Sequence, residues 1–215
     1  KIDAVITWVD GKDQKWLETK NKYLYNNGIN RRYFKNGKKN IRFEENNELY
    51  YCIKSINKYL PWINKIYIVT MYPQKPSFKI DSDKIKIVYH HEIFQKTNYL
   101  PTFNSQAIET QLHNIPNLSE YFIYFNDDFY IGRNLKKTFF FTKYGKPIYY
   151  KRYKINKYSE NHIELLKKNY IKTQHFSCLH QAIPLRKSYF KFAIIDSLLT
   201  SSDSSAASAC ANLGS

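Results

Sequence analysis

Residues 121–129 read Tyr-Phe-Ile-Tyr-Phe-Asn-Asp-Asp-Phe, the strongest local feature of the sequence. Its first five residues are apolar or aromatic without interruption, which is typical of a strand that is buried on both faces of a sheet. Other strand-like runs lie at residues 4–9, 65–70 and 84–90. Helical patterns occur at residues 14–25, 48–59, 105–113 and 161–172. Strands that alternate with helices predict an α/β fold with a mainly parallel sheet flanked by helices.

The composition is that of one folded domain with a basic surface. The chain has 215 residues, of which 43% are hydrophobic and 17% aromatic, and its formal net charge is +16. Such a charge favours an anionic partner: nucleic acid, anionic lipid or a phosphorylated substrate. The basic residues are mostly Lys and are scattered among acidic ones, which favours a compositional origin. We therefore expect no nucleic-acid partner, while the basic surface would allow peripheral association with a membrane.

The sequence lacks the motifs of several classes of protein. The six glycines include no G-x-G spacing and no G-K-[ST], which excludes a dinucleotide-binding fingerprint and a P-loop. No apolar run approaches the ~18 residues of a membrane span. The three cysteines are too sparse for a disulfide framework, which favours a reducing compartment. We expect a cytoplasmic protein, located at the inner face of the membrane if its basic surface binds there.

Two adjacent carboxylates, Asp127 and Asp128, follow the apolar run at the predicted carboxyl end of a strand. Ligands of open α/β sheets bind at that edge. Mg²⁺ or Mn²⁺ prefers carboxylate oxygens there and bridges substrate phosphates. The aromatic neighbours on both sides set the pair into an apolar surround, which favours a metal site. The alternative is a solvated pair that caps the next turn.

Three further residues are candidates for binding or catalysis. Asp10 ends the first predicted strand and would share the sheet edge with the acidic pair; its alternative is a turn residue in Asp-Gly. Trp8 would stack on a base or a sugar, although a core tryptophan is the commoner case. His180 can serve as a general base or a phosphate contact.

The last segment differs in composition from the rest of the chain. From about residue 198 onward, Lys, Arg and Tyr disappear and Ser and Ala dominate. We interpret residues 198–215 as a linker, a frameshifted end or a cloning scar, and expect no native core there.

Several stretches resemble the conserved regions of the Stealth proteins. Residues 2–11 (IDAVITWVDG) resemble the first region, and residues 180–184 (HQAIP) resemble the third. The second region is matched by Arg42-Phe43, Asn47-Glu48-Leu49 and residues 55–56, 59–63, 66–70, 91–94, 100–105, 107–109 and 122–129. The order and spacing of these matches make the resemblance specific over roughly residues 1–195.

This resemblance implies a sugar-phosphate transferase with an α/β fold of the GT-A-like, nucleotide-sugar transferase type. The implied donor is a UDP-sugar, commonly UDP-N-acetylhexosamine. Its hexose 1-phosphate passes to an acceptor hydroxyl of a polysaccharide or glycan, and UMP is released. The resemblance also implies a divalent metal, Mg²⁺ or Mn²⁺, for which Asp127 and Asp128 are the candidate ligands.

The implied reaction suggests further roles. Arg42 would neutralise phosphate oxygens, or alternatively pair with a neighbouring glutamate on the surface. His180 would take the acceptor proton or steady the phosphoryl group, and Asp10 competes for the role of base. The remaining expected substrate-binding residues are Asn47, Glu48, Asn104, Ser105 and Glu109. Capping of a helix is the alternative for the last three, and we expect it for Ser105 at least.

The family's fourth conserved region is not found after the third. We therefore expect residues 1–197 to form a catalytic domain that is truncated at its C-terminal end. The nearest alternative is a metal-dependent glycosyltransferase with the same donor, which would attack the anomeric carbon and release UDP. The others are a folded but inactive fragment and a basic nucleic-acid-binding module.

Overall fold

A computed structural model describes residues 1–26, 43–81, 83–152, 177–178 and 182–190. The predicted helix at 161–172 and the segment 198–215 lie outside the described residues. The elements are β1 Ile2–Thr7, α1 Gln14–Asn26, α2 Glu48–Tyr59, β2 Ile66–Thr70, β3 Ile85–Tyr89, α3 His90–Ile93, α4 Ser105–Gln111, β4 Tyr121–Asn126, β5 Lys151–Arg152, β6 Ser177–Cys178 and β7 Ile183–Arg186. None of the helices within those ranges combines the length and the apolar character that crossing a membrane requires.

Five strands form the main sheet in the order β3-β2-β1-β4-β7. The pairs β1–β2, β1–β4 and β2–β3 are parallel, whereas β7 runs antiparallel to β4. The prediction of an α/β fold with a mainly parallel sheet is confirmed. Because the chain passes from β1 to β2 on one side and returns to β4 on the other, a crevice is expected beyond the carboxyl ends of β1 and β4.

The two faces of the sheet carry separate clusters of buried side chains. Alternate residues of β1 lie on opposite faces, as the pleat requires. Ile6 and Trp8 pack in the cluster that includes the buried side of α2, whereas Val5 packs with Tyr124 in the cluster beside α4. The buried residues of α2 are those with the predicted helical spacing: Leu49, Cys52, Ile53 and Ile56. This burial fixes α2 on the face where its first turn approaches the loop after β4.

Candidate functional site

The loops after β1 and β4 leave the sheet side by side. Thr7, the last residue of β1, is paired in register with Asn126, the last residue of β4. Residues 8–11 therefore begin beside Asp127 and Asp128, at the edge where the fold predicts a ligand. The two carboxylates follow the strand directly, so the main-chain ladder of β4 fixes where they start.

Asp127 is half-buried and Asp128 is exposed. Burial raises the pKa of Asp127 to about 7, and the negative charges of Asp128, Glu45 and Glu48 add to this effect. Beneath the turn, the Cys52 thiol of α2 donates to the main-chain oxygen of Asn126 at 3.8 Å. The fold therefore holds a carboxylate where its ionised form is unfavourable, and a bound cation would relieve that cost.

Glu45 also lies at this edge of the sheet. From the sequence it is only one of the neighbouring glutamates that could pair with Arg42 on the surface. The indole N–H of Trp8 donates to its Oε2 at 2.6 Å. Burial raises the pKa of Glu45, and the hydrogen bond from Trp8 opposes that change. In the sequence, Glu45 is marked only by its acidic side chain just before α2, because its partner Trp8 lies 37 positions away.

Trp8 itself belongs to the core. It is 7% exposed, and its ring packs among the residues on the α2 side of the sheet. In this structure Trp8 acts on the site through its N–H, by fixing Glu45. Stacking of Trp8 on a base or a sugar stays a prediction.

Asp10 lies in a tight turn, which was the alternative interpretation. Its Oδ1 accepts the main-chain N–H of Lys12 at 2.8 Å. The amide of Gln74, a side chain that is 2% exposed, donates to the Asp10 carbonyl at 2.7 Å, and the Asp10 N–H lies 3.4 Å from Gln74 Oε1. Thr70 also donates to Gln74 Oε1, at 3.2 Å. Gln74 thus ties the turn after β1 to the end of β2, a role that sequence reasoning missed.

Gly11 follows, at a position that only glycine fits. Its N–H donates to the carbonyl of Phe43 at 2.6 Å. A Cβ atom on Gly11 would lie 2.1 Å from that same oxygen. The close approach of the two main chains holds residue 43, and with it the segment that leads to Glu45, against the turn after β1.

Asn47 and Glu48 begin α2 at the same edge. Asn47 is exposed and has a φ of 70°, without a hydrogen bond from its side chain to the helix. Glu48 accepts hydrogen bonds from the main-chain N–H of Asn46 and, at 3.2 Å, from the Asn46 amide. Burial alone would raise the pKa of Glu48, but these donors lower it. Glu48 is therefore an ionised neighbour of Asp127.

Tyr124 connects Glu109 to the sheet edge. The Tyr124 hydroxyl lies 2.9 Å from Thr7 Oγ1, 3.2 Å from Glu109 Oε1 and 2.8 Å from Asn126 Oδ1. Since a phenol has one proton to donate, it donates to one of these acceptors at a time. Glu109 is thus linked to the ends of β1 and β4 from the α4 side of the sheet, opposite α2.

Asn104 caps a helix, as its alternative interpretation predicts, whereas the prediction that Ser105 caps the helix is wrong. Asn104 Oδ1 accepts the main-chain N–H of Gln106 at 2.9 Å and caps α4. Ser105 is the first helical residue and is exposed, so its hydroxyl sits one position too late to be the cap. Arg42 and His180, the predicted phosphate contact and base, lie outside the described residues.

The acidic pair fits a divalent cation whose coordination the substrate completes. In the part of the chain that the structure describes, no group of three or more His, Cys, Asp or Glu side chains is arranged to hold a metal ion. Asp127 and Asp128 offer hard carboxylate oxygens and nothing softer. Mg²⁺ is commonly bound by one or two carboxylates together with water and substrate phosphates. The donor set therefore suits Mg²⁺ or Mn²⁺ better than a metal that needs a full cage of protein ligands.

Comparison with known proteins identifies the family. Residues 1–28 match the family model of Stealth protein CR1, conserved region 1, and residues 42–149, half of the chain, match that of Stealth protein CR2, conserved region 2. The chain belongs to the Stealth family. The acidic pair and Glu45 both lie within the second conserved region of this Stealth protein.

Several Stealth relatives carry names that describe an activity. The chain is 43% identical over 207 residues to "Capsular polysaccharide phosphotransferase fcs1" of Haemophilus influenzae, covering 88% of this chain and 55% of the relative. It is 39% identical to "Capsular polysaccharide phosphotransferase LcbA" of Neisseria meningitidis, covering 90% and 56%. It is 41% identical over 149 residues to "Exopolysaccharide phosphotransferase SCO2594" of Streptomyces coelicolor, covering 69% and 24%. The chain spans about half the length of the two capsular relatives.

Proposed function

We propose that this Stealth chain forms the core of a phosphotransferase that moves hexose 1-phosphate from a UDP-sugar, usually a UDP-N-acetylhexosamine, to a hydroxyl of a polysaccharide. The observation that carries the proposal is the pair Asp127–Asp128 at the carboxyl edge of β4, beside the loop after β1. The names of the capsular and exopolysaccharide relatives support the reaction class.

In the proposed reaction, the acceptor oxygen attacks the β-phosphorus of the donor. The bond from that oxygen to phosphorus forms, while the bond from phosphorus to the bridging oxygen of the diphosphate breaks. UMP leaves with the bonding electrons, and the acceptor proton passes to a base. Positioning and neutralisation of charge supply most of the acceleration in such transfers.

Asp127 and Asp128 would hold Mg²⁺ or Mn²⁺. When bound, the cation supplies positive charge that offsets the diphosphate. The first turn of α2 lies at the same edge, and the positive end of a helix dipole favours an anion there. Glu45, fixed by Trp8, and Glu48 add negative charge that would strengthen cation binding.

Two bases are proposed for the acceptor proton, as the sequence suggests: His180 and Asp10. Asp10 is held in place through its main chain by Gln74. Arg42 is the proposed cationic contact to the phosphate oxygens. These assignments rest on the resemblance to the family and on the position of Asp10 at the sheet edge.

The test is to identify the nucleotide product. The protein is incubated with UDP-N-acetylhexosamines, Mg²⁺ and capsule oligosaccharides, and the nucleotides are separated by ion-pair chromatography. The proposal expects UMP, and it expects the Asp127→Ala, Asp128→Ala double variant to lose this activity. The matched control is Asp83→Ala, which removes an exposed carboxylate from the turn before β3. Release of UDP would instead support the glycosyltransferase alternative.

The charge of the chain supports a further part of this proposal. The formal net charge of +16 favours peripheral binding to an anionic membrane face from the cytoplasmic side. Co-sedimentation with vesicles that contain phosphatidylglycerol, at low and high salt, tests this point. Binding to neutral vesicles that is equally strong and insensitive to salt would contradict it.

A further inference from the structure

A cleft of about 260 Å³ opens beside Asp128, on the side of β4 that faces β7. Its walls come from the segment after β4 and from the start of β7. They include Phe129, Tyr130, Phe139, Tyr150 and Ala182. Because Asp128 is one of the residues that line it, the cleft adjoins the acidic pair.

The aromatic wall of the cleft is held in a fixed position. Phe139 and Tyr150 stack with ring centroids 4.8 Å apart and an interplanar angle of 25°. The Tyr150 hydroxyl donates to the carbonyl of Phe139 at 3.0 Å. The segment is also tied to α2, since the Ile131 N–H donates to Ser55 Oγ at 3.0 Å. Two of the rings that line the cleft, Phe139 and Tyr150, therefore have orientations set by stacking and by a hydrogen bond.

The two sides of the acidic pair differ in chemistry. Towards β1 lie the carboxylates of Glu45 and Asp10 and also a cation, Lys12, whose ammonium donates to the main-chain oxygen of Glu45 at 3.2 Å. Towards β7 lies the cleft, and the described residues that line it include no Lys, Arg or His. A diphosphate would find no positive side chain among them. A pyranose ring has apolar C–H faces that pack on aromatic rings and hydroxyls that donate to a carboxylate, so it matches this lining.

The size of the cleft points in the same direction. Sites for drug-sized ligands enclose roughly 300–1,000 Å³. The volume here is about 260 Å³, which suits one sugar ring better than a whole nucleoside diphosphate sugar. Tyr130 lines the cleft and is 52% exposed, so its ring is accessible to a ligand.

We propose that this cleft holds the acceptor sugar, with Tyr130 as its stacking contact and Asp128 as the acceptor for one of its hydroxyls. The inference rests on the proposed function and assigns the two substrates to different sides of the acidic pair. The donor diphosphate binds on the β1 side of the acidic pair, and the acceptor approaches from the β7 side. The two reactants then meet at Asp127–Asp128.

The test compares Tyr130→Ala with Tyr144→Ala. Tyr144 is 74% exposed, follows in the same segment and does not line the cleft. Binding of methyl glycosides of glucose, galactose, N-acetylglucosamine and N-acetylmannosamine is measured by saturation-transfer NMR, and UDP binding with Mg²⁺ by calorimetry. We expect Tyr130→Ala to weaken binding of the best glycoside about tenfold, the loss of one aromatic contact, and to leave UDP affinity within about twofold. Tyr144→Ala should change neither.

The outcomes separate this inference from the proposed function. Absence of binding for all four glycosides, or equal weakening of UDP and glycoside by Tyr130→Ala, would overturn the acceptor cleft. If Tyr130→Ala weakens the glycoside alone while the wild-type protein releases UDP rather than UMP, the cleft stands and the phosphotransferase assignment fails. If the wild-type protein releases UMP and Tyr130→Ala leaves glycoside binding unchanged, the assignment stands and the cleft fails.

Discussion

Replacing Asp127 with asparagine should make the protein more stable above pH 7 while removing its activity. The carboxylate is half-buried among Asp128, Glu45 and Glu48, and the pKa of Asp127 is raised from 3.8 to about 7. The folded protein therefore holds a proton that the unfolded chain releases. Asparagine has nearly the same shape and no charge, so it removes this penalty. Residues that serve a function often carry such a cost in stability.

The size of the effect follows from the pKa. A tenfold change in the acid dissociation constant corresponds to about 1.36 kcal/mol, and partial exposure of Asp127 reduces the total, which gives roughly 2–4 kcal/mol. Between about pH 4 and 7 the folded state binds more protons than the unfolded state. The contribution of Asp127 to the free energy of unfolding is therefore fully present below about pH 4. It falls as the pH rises from about 4 to about 7 and stays low above that.

The assay is urea unfolding of the wild-type protein and of Asp127→Asn at intervals from pH 5 to 8.5. The difference between the two proteins isolates Asp127, because His90, whose pKa burial lowers to about 4, is common to both. We expect the difference to grow in favour of the variant as the pH rises from 5 to about 7 and to stay constant above that. Asp83→Asn, the exposed control, should follow the wild-type protein. Parallel curves for the wild-type protein and Asp127→Asn, or a variant that is less stable at pH 8, would refute the reasoning.

Three further predictions concern Trp8, Gln74 and His180. Trp8→Phe removes the N–H that binds Glu45, and the lost hydrogen bond should cost about 1.5–3 kcal/mol in urea unfolding. Trp62→Phe loses the same ring volume but a hydrogen bond to a neutral carbonyl, which is worth about 1 kcal/mol, so its total loss should be smaller. Equal losses would be inconsistent with a charged acceptor. Gln74→Ala should lower the free energy of unfolding by about 1–3 kcal/mol, because it leaves the turn after β1 without its buried partner; an unchanged urea midpoint would argue against this role. His180→Ala and His180→Asn should slow turnover about 10²–10⁴-fold while UDP affinity and melting temperature persist; a large fall in melting temperature with turnover intact would mean a structural role.

The parallel sheet could be predicted because its strands are encoded locally. The runs that became β2 and β4 are apolar on both faces, and the apolar spacing of residues 48–59 could be matched only by one side of a helix. The edge strand β7 could not be found in this way. It contains Pro184, which cannot donate to a sheet ladder and argues against a strand except at an edge.

The site was predictable where it follows a strand and not where it depends on distant contacts. Asp127 and Asp128 come directly after β4, and Asp10 lies three residues after β1, so their position at one edge follows from parallel pairing. Glu45 and Gln74 gain their roles from partners 37 and 64 positions away. No local pattern marks either residue, since an isolated Glu or Gln in a loop is usually a solvated side chain.

The most direct measurement of the central claim follows the β-phosphorus of the donor. UDP-N-acetylhexosamine labelled with ³²P at the β-position is incubated with the protein, Mg²⁺ and capsule oligosaccharide, and the products are separated by size. Our account predicts that the label enters the oligosaccharide as a phosphodiester while unlabelled UMP is released. Label that leaves as UDP, with an oligosaccharide that has gained unlabelled sugar, would contradict it.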